Sequence, residues 1–271
     1  MMADATSTMT SVTSRDGTTI ACFGSGDGPP LVLVHGVLAD HSRWDALRPE
    51  LDSHATVYAI DRRGRGASGD HERYDVEREY EDIAEVVDAL AGHHGVAVDV
   101  YGHSGGAAFA LGATTLTGNL RRLVLYEPPV DTGALLPEGL LDRLDALLAE
   151  GDDTGVVETF CRVVLAMPDE ELALYREHPS WAARVAAAPT LPRELAIPPA
   201  RLFDPERASR VTAPTLLLAG AHSPAGFTAA VDTVAAAIPD ARVEVLDGQA
   251  HTADVVAPRL VAEQLLAFLG R

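Results

Sequence analysis

The chain has 271 residues, 47% of them hydrophobic and 23% charged, and its formal net charge at pH 7 is −19. This length suits one large domain with an extensive core, and the acidic balance disfavours nucleic acid and anionic lipid as partners. No apolar run approaches the roughly 18 residues that a membrane span needs, and the start, MMADATSTMTSVTS, is unlike a secretory signal, so we expect a soluble, cytoplasmic protein without membrane attachment.

Lysine, cysteine and histidine usage narrows the chemistry. The 21 basic residues are all arginine, and without lysine a Walker A phosphate loop, a Schiff base and a pyridoxal-phosphate site are excluded. Cys22 and Cys161 lie far apart and outside any CxxC spacing, so we interpret both as small buried hydrophobes. His93 and His94 have no partner at ligand spacing. The sequence therefore predicts no metal site.

Strand-like and helical segments alternate along the chain, which is typical of a mainly parallel sheet with helices on both faces. An opening hairpin is predicted around Arg15-Asp16-Gly17. Its arms are residues 9–14 and 18–24, core strands follow at 31–36, 56–61, 98–103, 122–127, 214–220 and 241–246, and amphipathic helices are expected at 76–92, 225–238 and 255–269. The fold class is therefore α/β.

The alternation stops between residues 128 and 210. Several short helical patterns separated by proline and glycine occur there, without a convincing strand. We interpret 128–210 as a helical cap inserted into a single domain that spans residues 1–271. Its larger apolar side chains are candidates for the lining of a pocket as well as for ordinary core: Phe160, Met167, Tyr175 and Trp181.

Ser104 is the candidate nucleophile. It lies in VDVYGHSGGAAFALGA, residues 98–113, where a β-branched strand stops and an Ala/Gly-rich helix begins. Gly102 and Gly106 complete a GxSxG pattern, and a sharp strand-to-helix turn leaves no room for side chains at those two positions. The pattern and its context predict a nucleophile elbow.

A serine hydroxyl needs a base, and the tetrahedral intermediate needs preorganised donors. His251 is the candidate base, because it lies in a loop after the last strand, at the sheet edge where α/β active sites are found. The backbone N–H of Gly105 comes with the elbow, and that of Val37, after the strand ending in His35-Gly36, is the candidate second donor. We interpret His35 as a structural residue of that loop.

Four motifs together resemble the α/β-hydrolase superfamily, over essentially the whole chain from about residue 10. They are VHGVL at 34–38, DRRGRGASG at 61–69, YGHSGG at 101–106 and GQAH at 248–251. The resemblance implies the α/β-hydrolase fold, a serine nucleophile, a histidine base, the order Ser, acid, His, and no cofactor. It also implies structural roles for Asp61, Arg63 and Ser68.

The acid departs from the family pattern. The family usually places an aspartate in the loop after LLLAG, but here residues 221–224 read Ala-His-Ser-Pro. Glu127, at the end of the preceding strand and before Pro128-Pro129, is the leading substitute; a hinge or helix-capping role is its alternative. We interpret Asp247 and Asp254 as turn formers or surface charges. A degraded triad without an acid is the remaining possibility.

These assignments predict a cofactor-independent serine hydrolase that acts on an ester or related acyl or carbonyl group of a small molecule, through an acyl-enzyme at Ser104. The alternative is a non-hydrolytic protein of the same fold, such as a biosynthetic cyclase or a ligand-binding protein, which the missing aspartate favours. Candidate substrate contacts follow the active-edge strands or lie in the cap: Leu38, His41, His222 and Trp181.

Overall fold

The protein, described here by a computed structural model for residues 8–131 and 136–271, is built on one eight-stranded sheet. Its strands are β1 (Thr8–Thr13), β2 (Thr19–Ser25), β3 (Pro30–Val34), β4 (Thr56–Ile60), β5 (Val98–His103), β6 (Leu120–Tyr126), β7 (Thr215–Gly220) and β8 (Ala241–Leu246). Their order is β1-β2-β4-β3-β5-β6-β7-β8. β2 pairs antiparallel with β1 and β4, and all other pairs are parallel. The mainly parallel sheet confirms the predicted fold class.

Helices connect the strands and cover both faces of the sheet. They are α1 (Arg48–Leu51), α2 (Val76–His94), α3 (Gly105–Ala113), α4 (Leu140–Ala149), α5 (Asp153–Val163), α6 (Asp169–Glu177), α7 (Trp181–Ala186), α8 (Leu191–Leu195), α9 (Pro199–Leu202), α10 (Pro205–Ala208), α11 (Ala225–Ala237), α12 (Ala253–Val256) and α13 (Pro258–Leu269). The helix predicted at 255–269 is two helices. Pro258 begins α13, and the residue before a proline avoids helical geometry, so Ala257 takes φ −137° and ends α12.

Two apolar cores lie on opposite sides of the sheet. One joins the sheet to α2, α3 and α11, and the other joins it to α1, α12 and α13. The strands β3 and β5 contribute to both faces, and every one of their residues is buried. β3 is apolar over its whole length because each face of the strand is covered, whereas β5 also buries Asp99 and His103. Within the described residues, none of the helices has the length and apolar character needed to cross a membrane.

Seven described helices, α4 to α10, lie between β6 and β7, and those from α4 to α8 form a third apolar cluster. Leu38, which follows β3, packs into this cluster. On α8, Glu194 is buried, and its carboxylate contacts the guanidinium groups of Arg62 and Arg65, which follow β4. The inserted segment is therefore attached to the sheet by apolar packing and by buried ion pairs.

Candidate active site

Ser104 lies between β5 and α3 in a strained backbone conformation. Its φ is +54° and its ψ is −127°, a region that non-glycine residues rarely occupy and that active sites use to expose a side chain. A Cβ added to Gly106 would lie 2.4 Å from the carbonyl oxygens of Val34 and His35. The close approach of the elbow to β3 thus requires glycine at position 106, as the sequence pattern predicts.

The loop after β3 lies directly beside the serine. A Cβ added to Gly36 would be 3.0 Å from the Cβ of Ser104, and one added to Gly105 would be 3.8 Å from the backbone nitrogen of Val37. The backbone groups of Val37 and Gly105 are therefore neighbours next to Ser104, as two donors of one oxyanion hole must be. Their role in catalysis stays a prediction.

Glu127 and His251 are in direct contact. Nδ1 of His251 donates to Oε2 of Glu127 at 2.5 Å, and the backbone N–H of Gly220 donates to Oε1 at 2.7 Å. The carboxylate is fully buried, so both of its oxygens are held in place by donors. With the Nδ1 proton directed at Glu127, Nε2 of a neutral imidazole is left as the acceptor.

The position of Glu127 explains how an acid on β6 reaches a histidine that follows β8. Glu127 comes directly after β6, and its backbone N–H donates to the carbonyl oxygen of Leu218 on β7 at 3.0 Å. Its φ is +46°, so the chain turns sharply at this residue. The side chain thereby lies next to Gly220 at the end of β7, close to the loop that the family normally uses for the acid.

The ring of His251 is held between two other rings. Its centroid lies 4.5 Å from that of Phe227 on α11 and 4.5 Å from that of His103, the residue before the candidate nucleophile. The side chain of His251 is 16% exposed. These contacts fix the plane of the His251 ring and leave one edge of the ring open toward the space at Ser104.

A buried polar network next to His251 was not predicted from the sequence. Nε and Nη2 of Arg43 donate to the two carboxylate oxygens of Asp254 at 2.9 and 2.7 Å. Nε2 of His103 donates to the carbonyl oxygen of His251 at 2.7 Å, and Arg43 Nη2 lies 3.0 Å from the same nitrogen. Asp254 is fully buried, so the expectation of a turn former or surface charge is wrong. Its partner Arg43 is 211 positions away, which no local pattern reveals.

His103 makes stability depend on pH. Burial and the neighbouring Arg43 hold the pKa of His103 well below its usual range, so the folded protein keeps this ring neutral. The unfolded chain takes up a proton below about pH 6.5, so this contribution to stability is present above that pH and is lost as the pH falls. We expect a loss of about 1.4 kcal/mol from this residue between pH 7.5 and 5.5.

Urea unfolding of the wild type and of His103→Gln at those two pH values measures this contribution. The variant is expected to lose less free energy of unfolding between pH 7.5 and 5.5 than the wild type, by about that amount. Equal losses in the two proteins would contradict a neutral, buried His103.

Two adjoining cavities meet at Ser104. One, the arginine cavity, measures about 40 Å³, and Arg43, Arg184, Tyr175 and Thr252 contribute its polar lining. The other, the apolar cavity, measures about 50 Å³, and most of its lining is aromatic or aliphatic: Phe109, Pro129, Leu136, Phe160, Val164, Leu165, Leu195, Leu202 and Phe227. Val37, Ser104 and His251 line both cavities. A substrate bound at the serine thus meets the side chains of two arginines on one side and a mainly apolar lining on the other.

Of the predicted substrate contacts, Leu38 lines the arginine cavity, whereas His41 lies outside the residues that line either cavity. His41 Nδ1 is 2.8 Å from Oδ1 of Asp61, and its ring stacks on Phe23 at 3.5 Å. These contacts direct the imidazole toward the turn after β4. The position of His41 does not support a contact with substrate.

His222 and Trp181 are likewise outside the described lining of both cavities. His222 is exposed, and its backbone N–H donates to the carbonyl oxygen of Gln249. Trp181 packs edge to face against Tyr175, with ring centroids 6.1 Å apart. It is Tyr175 that reaches the cavity, so Trp181 supports a lining residue and is not one itself.

The turn after β4 has the structural character that the motif implies. Asp61 accepts hydrogen bonds from backbone N–H groups, and Ser68 Oγ donates to the carbonyl oxygen of Asp61. Arg63 is buried and pairs with Asp82 on α2. The hydrogen bonds of Asp61 and Ser68 hold the turn together, and the ion pair of Arg63 attaches it to α2.

Comparison with known proteins agrees with this architecture. The model of the alpha/beta hydrolase family matches residues 31–264. The 2-(acetamidomethylene)succinate hydrolase of Mesorhizobium japonicum is 26% identical over 262 residues, 90% of this chain and 89% of that protein. An alpha/beta hydrolase from Sphaerobacter thermophilus, known from its crystal structure, is 38% identical with a TM-score of 0.84, over 96% of this chain and 100% of that one.

An esterase from Rhodococcus sp. ECU1013 shares the fold at greater distance. Its crystal structure has 21% identity and a TM-score of 0.72, over 97% of this chain and 98% of that one. At this identity the likeness shows the fold alone. The family match over most of the length, with the fold and the 38% identical structure, confirms the resemblance: the chain belongs to the alpha/beta hydrolase family.

Proposed function

We propose that this protein is a serine hydrolase that cleaves an ester or related acyl bond of a small molecule through an acyl-enzyme at Ser104. The contact between Glu127 and His251 at the strained serine turn carries the proposal. The non-hydrolytic alternative drew its support from the absence of an acid after β7, and Glu127 supplies a carboxylate at that place. A 26% identical relative named as a hydrolase also supports the proposal.

The proposed reaction has two halves. Nε2 of His251 removes the proton of Ser104 Oγ as the oxygen attacks the carbonyl carbon, and the N–H groups of Val37 and Gly105 stabilise the oxyanion. Collapse of the intermediate breaks the bond to the leaving group, which takes the proton from His251. Water, activated by the same histidine, then hydrolyses the acyl-enzyme and regenerates Ser104. Glu127 keeps the Nδ1 proton in place and stabilises the imidazolium.

We further propose that residues 128–210 act as a cap on a single domain formed by residues 1–271. Side chains from this segment, among them Phe160, Leu165 and Tyr175, line the cavities at Ser104. The remaining lining comes from residues that follow the strands. Substrate selection is therefore assigned to the cap and bond cleavage to the sheet edge.

Labelling with a fluorophosphonate tests the nucleophile. We expect intact-mass and peptide analysis to find one adduct, on Ser104, because only a serine activated by a base reacts readily. Ser104→Ala should remove the adduct. Ser209→Ala, at an exposed serine at the end of α10, is the matched control and should label like the wild type. A folded wild-type protein that stays unlabelled would overturn the proposed function.

A further inference from the structure

Arg184 on α7 is a buried cation without an acidic partner. It is 6% exposed, and no carboxylate in the described part of the chain forms an ion pair with it. Its Nη1 donates to the carbonyl oxygen of Leu38 at 3.2 Å and its Nε to Ser180 Oγ at 3.3 Å. The guanidinium lies 4.4 Å from the ring centroid of Tyr175. All these neighbours are neutral, so no group in direct contact compensates the positive charge of Arg184.

The other buried arginines of the described chain show that the lack of an ion pair at Arg184 is unusual. Each of them faces a carboxylate: Arg43 pairs with Asp254, Arg62 and Arg65 with Glu79, and Arg63 with Asp82. A buried charge without a partner is strongly unfavourable in a folded protein. Burial also lowers the pKa of Arg184, which reflects the same penalty. An anion supplied from outside would relieve it.

Arg184 lines the arginine cavity, next to the catalytic serine. Among the described residues, no carboxylate lines this cavity, although the whole chain carries 40 acidic and 21 basic residues. The second arginine there, Arg43, is neutralised by Asp254. The net charge offered to a ligand beside Ser104 therefore comes from Arg184.

A third cavity, the vestibule, lies beside the arginine cavity. It measures about 220 Å³ and shares four lining residues with the arginine cavity: Arg43, Tyr175, Arg184 and Thr252. The remaining vestibule lining includes Glu171 and His178 as well as exposed apolar side chains such as Leu174 and Val256. Arg184 thus lies at the junction between the outer vestibule and the space that contains Ser104.

We propose that Arg184 binds a carboxylate of the substrate, so that the site selects carboxylate-bearing acyl compounds. The carboxylate would lie in the arginine cavity, and an apolar group on the other side of the scissile carbonyl would lie in the apolar cavity. A planar guanidinium offers paired donors that match a carboxylate. This inference rests on the proposed function for its reaction, but carboxylate binding by Arg184 can be measured without turnover.

Two esters that differ only at one end of the acyl chain test the selection. Monobenzyl succinate carries a carboxylate where benzyl butyrate carries a methyl group, and release of benzyl alcohol is followed by chromatography. The wild type is expected to have at least a 10-fold higher kcat/KM for the succinate ester. Arg184→Gln should lower this ratio at least 10-fold, mainly through KM, because a neutral amide no longer offsets the carboxylate charge. A wild-type preference for benzyl butyrate would overturn the proposal.

Two further arginine variants separate the effect of the Arg184 charge from the effect of its packing. Arg259→Gln removes an arginine that is 81% exposed on α13, and the ratio for this control should equal that of the wild type. Arg184→Lys keeps the charge without the fork of donors, so its ratio should lie between those of the wild type and Arg184→Gln. An Arg184→Lys ratio as low as that of Arg184→Gln would contradict recognition by charge. Thermal unfolding followed by circular dichroism establishes that each variant is folded.

Binding without turnover distinguishes this inference from the proposed function. Calorimetric titration of monobenzyl succinate into Ser104→Ala and into Ser104→Ala/Arg184→Gln is expected to give at least a 10-fold larger Kd for the double variant. If neither ester is cleaved and fluorophosphonate leaves Ser104 unlabelled, the proposed hydrolase function fails, and this titration still decides the role of Arg184. Equal Kd values in the two proteins would refute carboxylate binding.

Discussion

Glu127→Gln is expected to lower kcat by roughly a thousand- to ten-thousand-fold, with little change in KM. Glutamine has nearly the same size, so the turn after β6 and the hydrogen bond from Gly220 can remain. The neutral amide no longer stabilises the imidazolium of His251, and its NH2 group favours the wrong tautomer of the ring. Steady-state kinetics with an activated ester, at several pH values, measures the effect.

Asp247→Asn is the matched control for this result. Asp247 is the carboxylate that precedes His251 by four positions, and it is exposed. Its replacement should leave kcat within about twofold of the wild type, since surface substitutions away from the site have small effects. If Asp247→Asn were inactive and Glu127→Gln active, the acid would have been assigned to the wrong residue.

Asp254→Ala is expected to lower the free energy of unfolding by about 3–5 kcal/mol. The substitution removes both acceptors of Arg43, whose side chain is 5% exposed, and leaves that cation buried and uncompensated. It also disturbs the support of His103 and the loop that carries His251. Urea unfolding measured by circular dichroism, at a pH where the wild type is most stable, gives the difference directly.

Two further variants distinguish loss of the pair from loss of a carboxylate. Asp169→Ala breaks the pair of Arg162 with an aspartate that is 83% exposed, and such surface pairs contribute little, so the urea midpoint should hardly move. Replacing both partners, as in Arg43→Met with Asp254→Leu, should destabilise less than Asp254→Ala alone, because no charge is left buried. A double variant as unstable as Asp254→Ala would show that packing dominates.

Much of the sheet could be predicted from the sequence because its central strands, β3 to β7, are mostly buried; β8 is mostly exposed and was indicated by its β-branched residues. The predicted ranges 98–103 and 241–246 coincide with β5 and β8, and the other core strands differ at their ends by one or two residues. Continuous apolar runs bounded by glycine and proline mark such strands. The turn at Ser104 was equally visible, because its close approach to β3 permits only glycine at Gly106.

The candidate acid was found by position. Glu127 ends a strand of a parallel sheet, so its side chain had to lie at the carboxyl edge with the other candidates. Its contact with His251 depends on β6 lying beside β7 and on the positive φ of Glu127, which the sequence does not express. The register of neighbouring strands therefore decides whether a carboxylate at this edge can reach the histidine.

The remainder of the site depends on contacts between distant parts of the chain. No local sequence pattern marks Arg43 or Asp254 as a pair, and only the folded chain shows that they are buried and in contact. The lack of an ion pair at Arg184 is a property of its surroundings, not of the α7 sequence. For the same reason His41 and His222, which lie in active-edge loops, were expected at the cavity, although His41 contacts Asp61 and His222 is exposed outside the cavity lining.

The buried contacts of Glu194 affect how substrate enters the active site and how product leaves it. Raising α8 from the sheet would separate the carboxylate of Glu194 from Arg62 and Arg65, and would leave Glu79 as the one remaining carboxylate paired with these two arginines in the described part of the chain. That end of the inserted segment is therefore expected to act as a fixed hinge. Substrate and product are then expected to pass where the vestibule and the arginine cavity share Arg43, Tyr175, Arg184 and Thr252, and these side chains would affect the rate of product release.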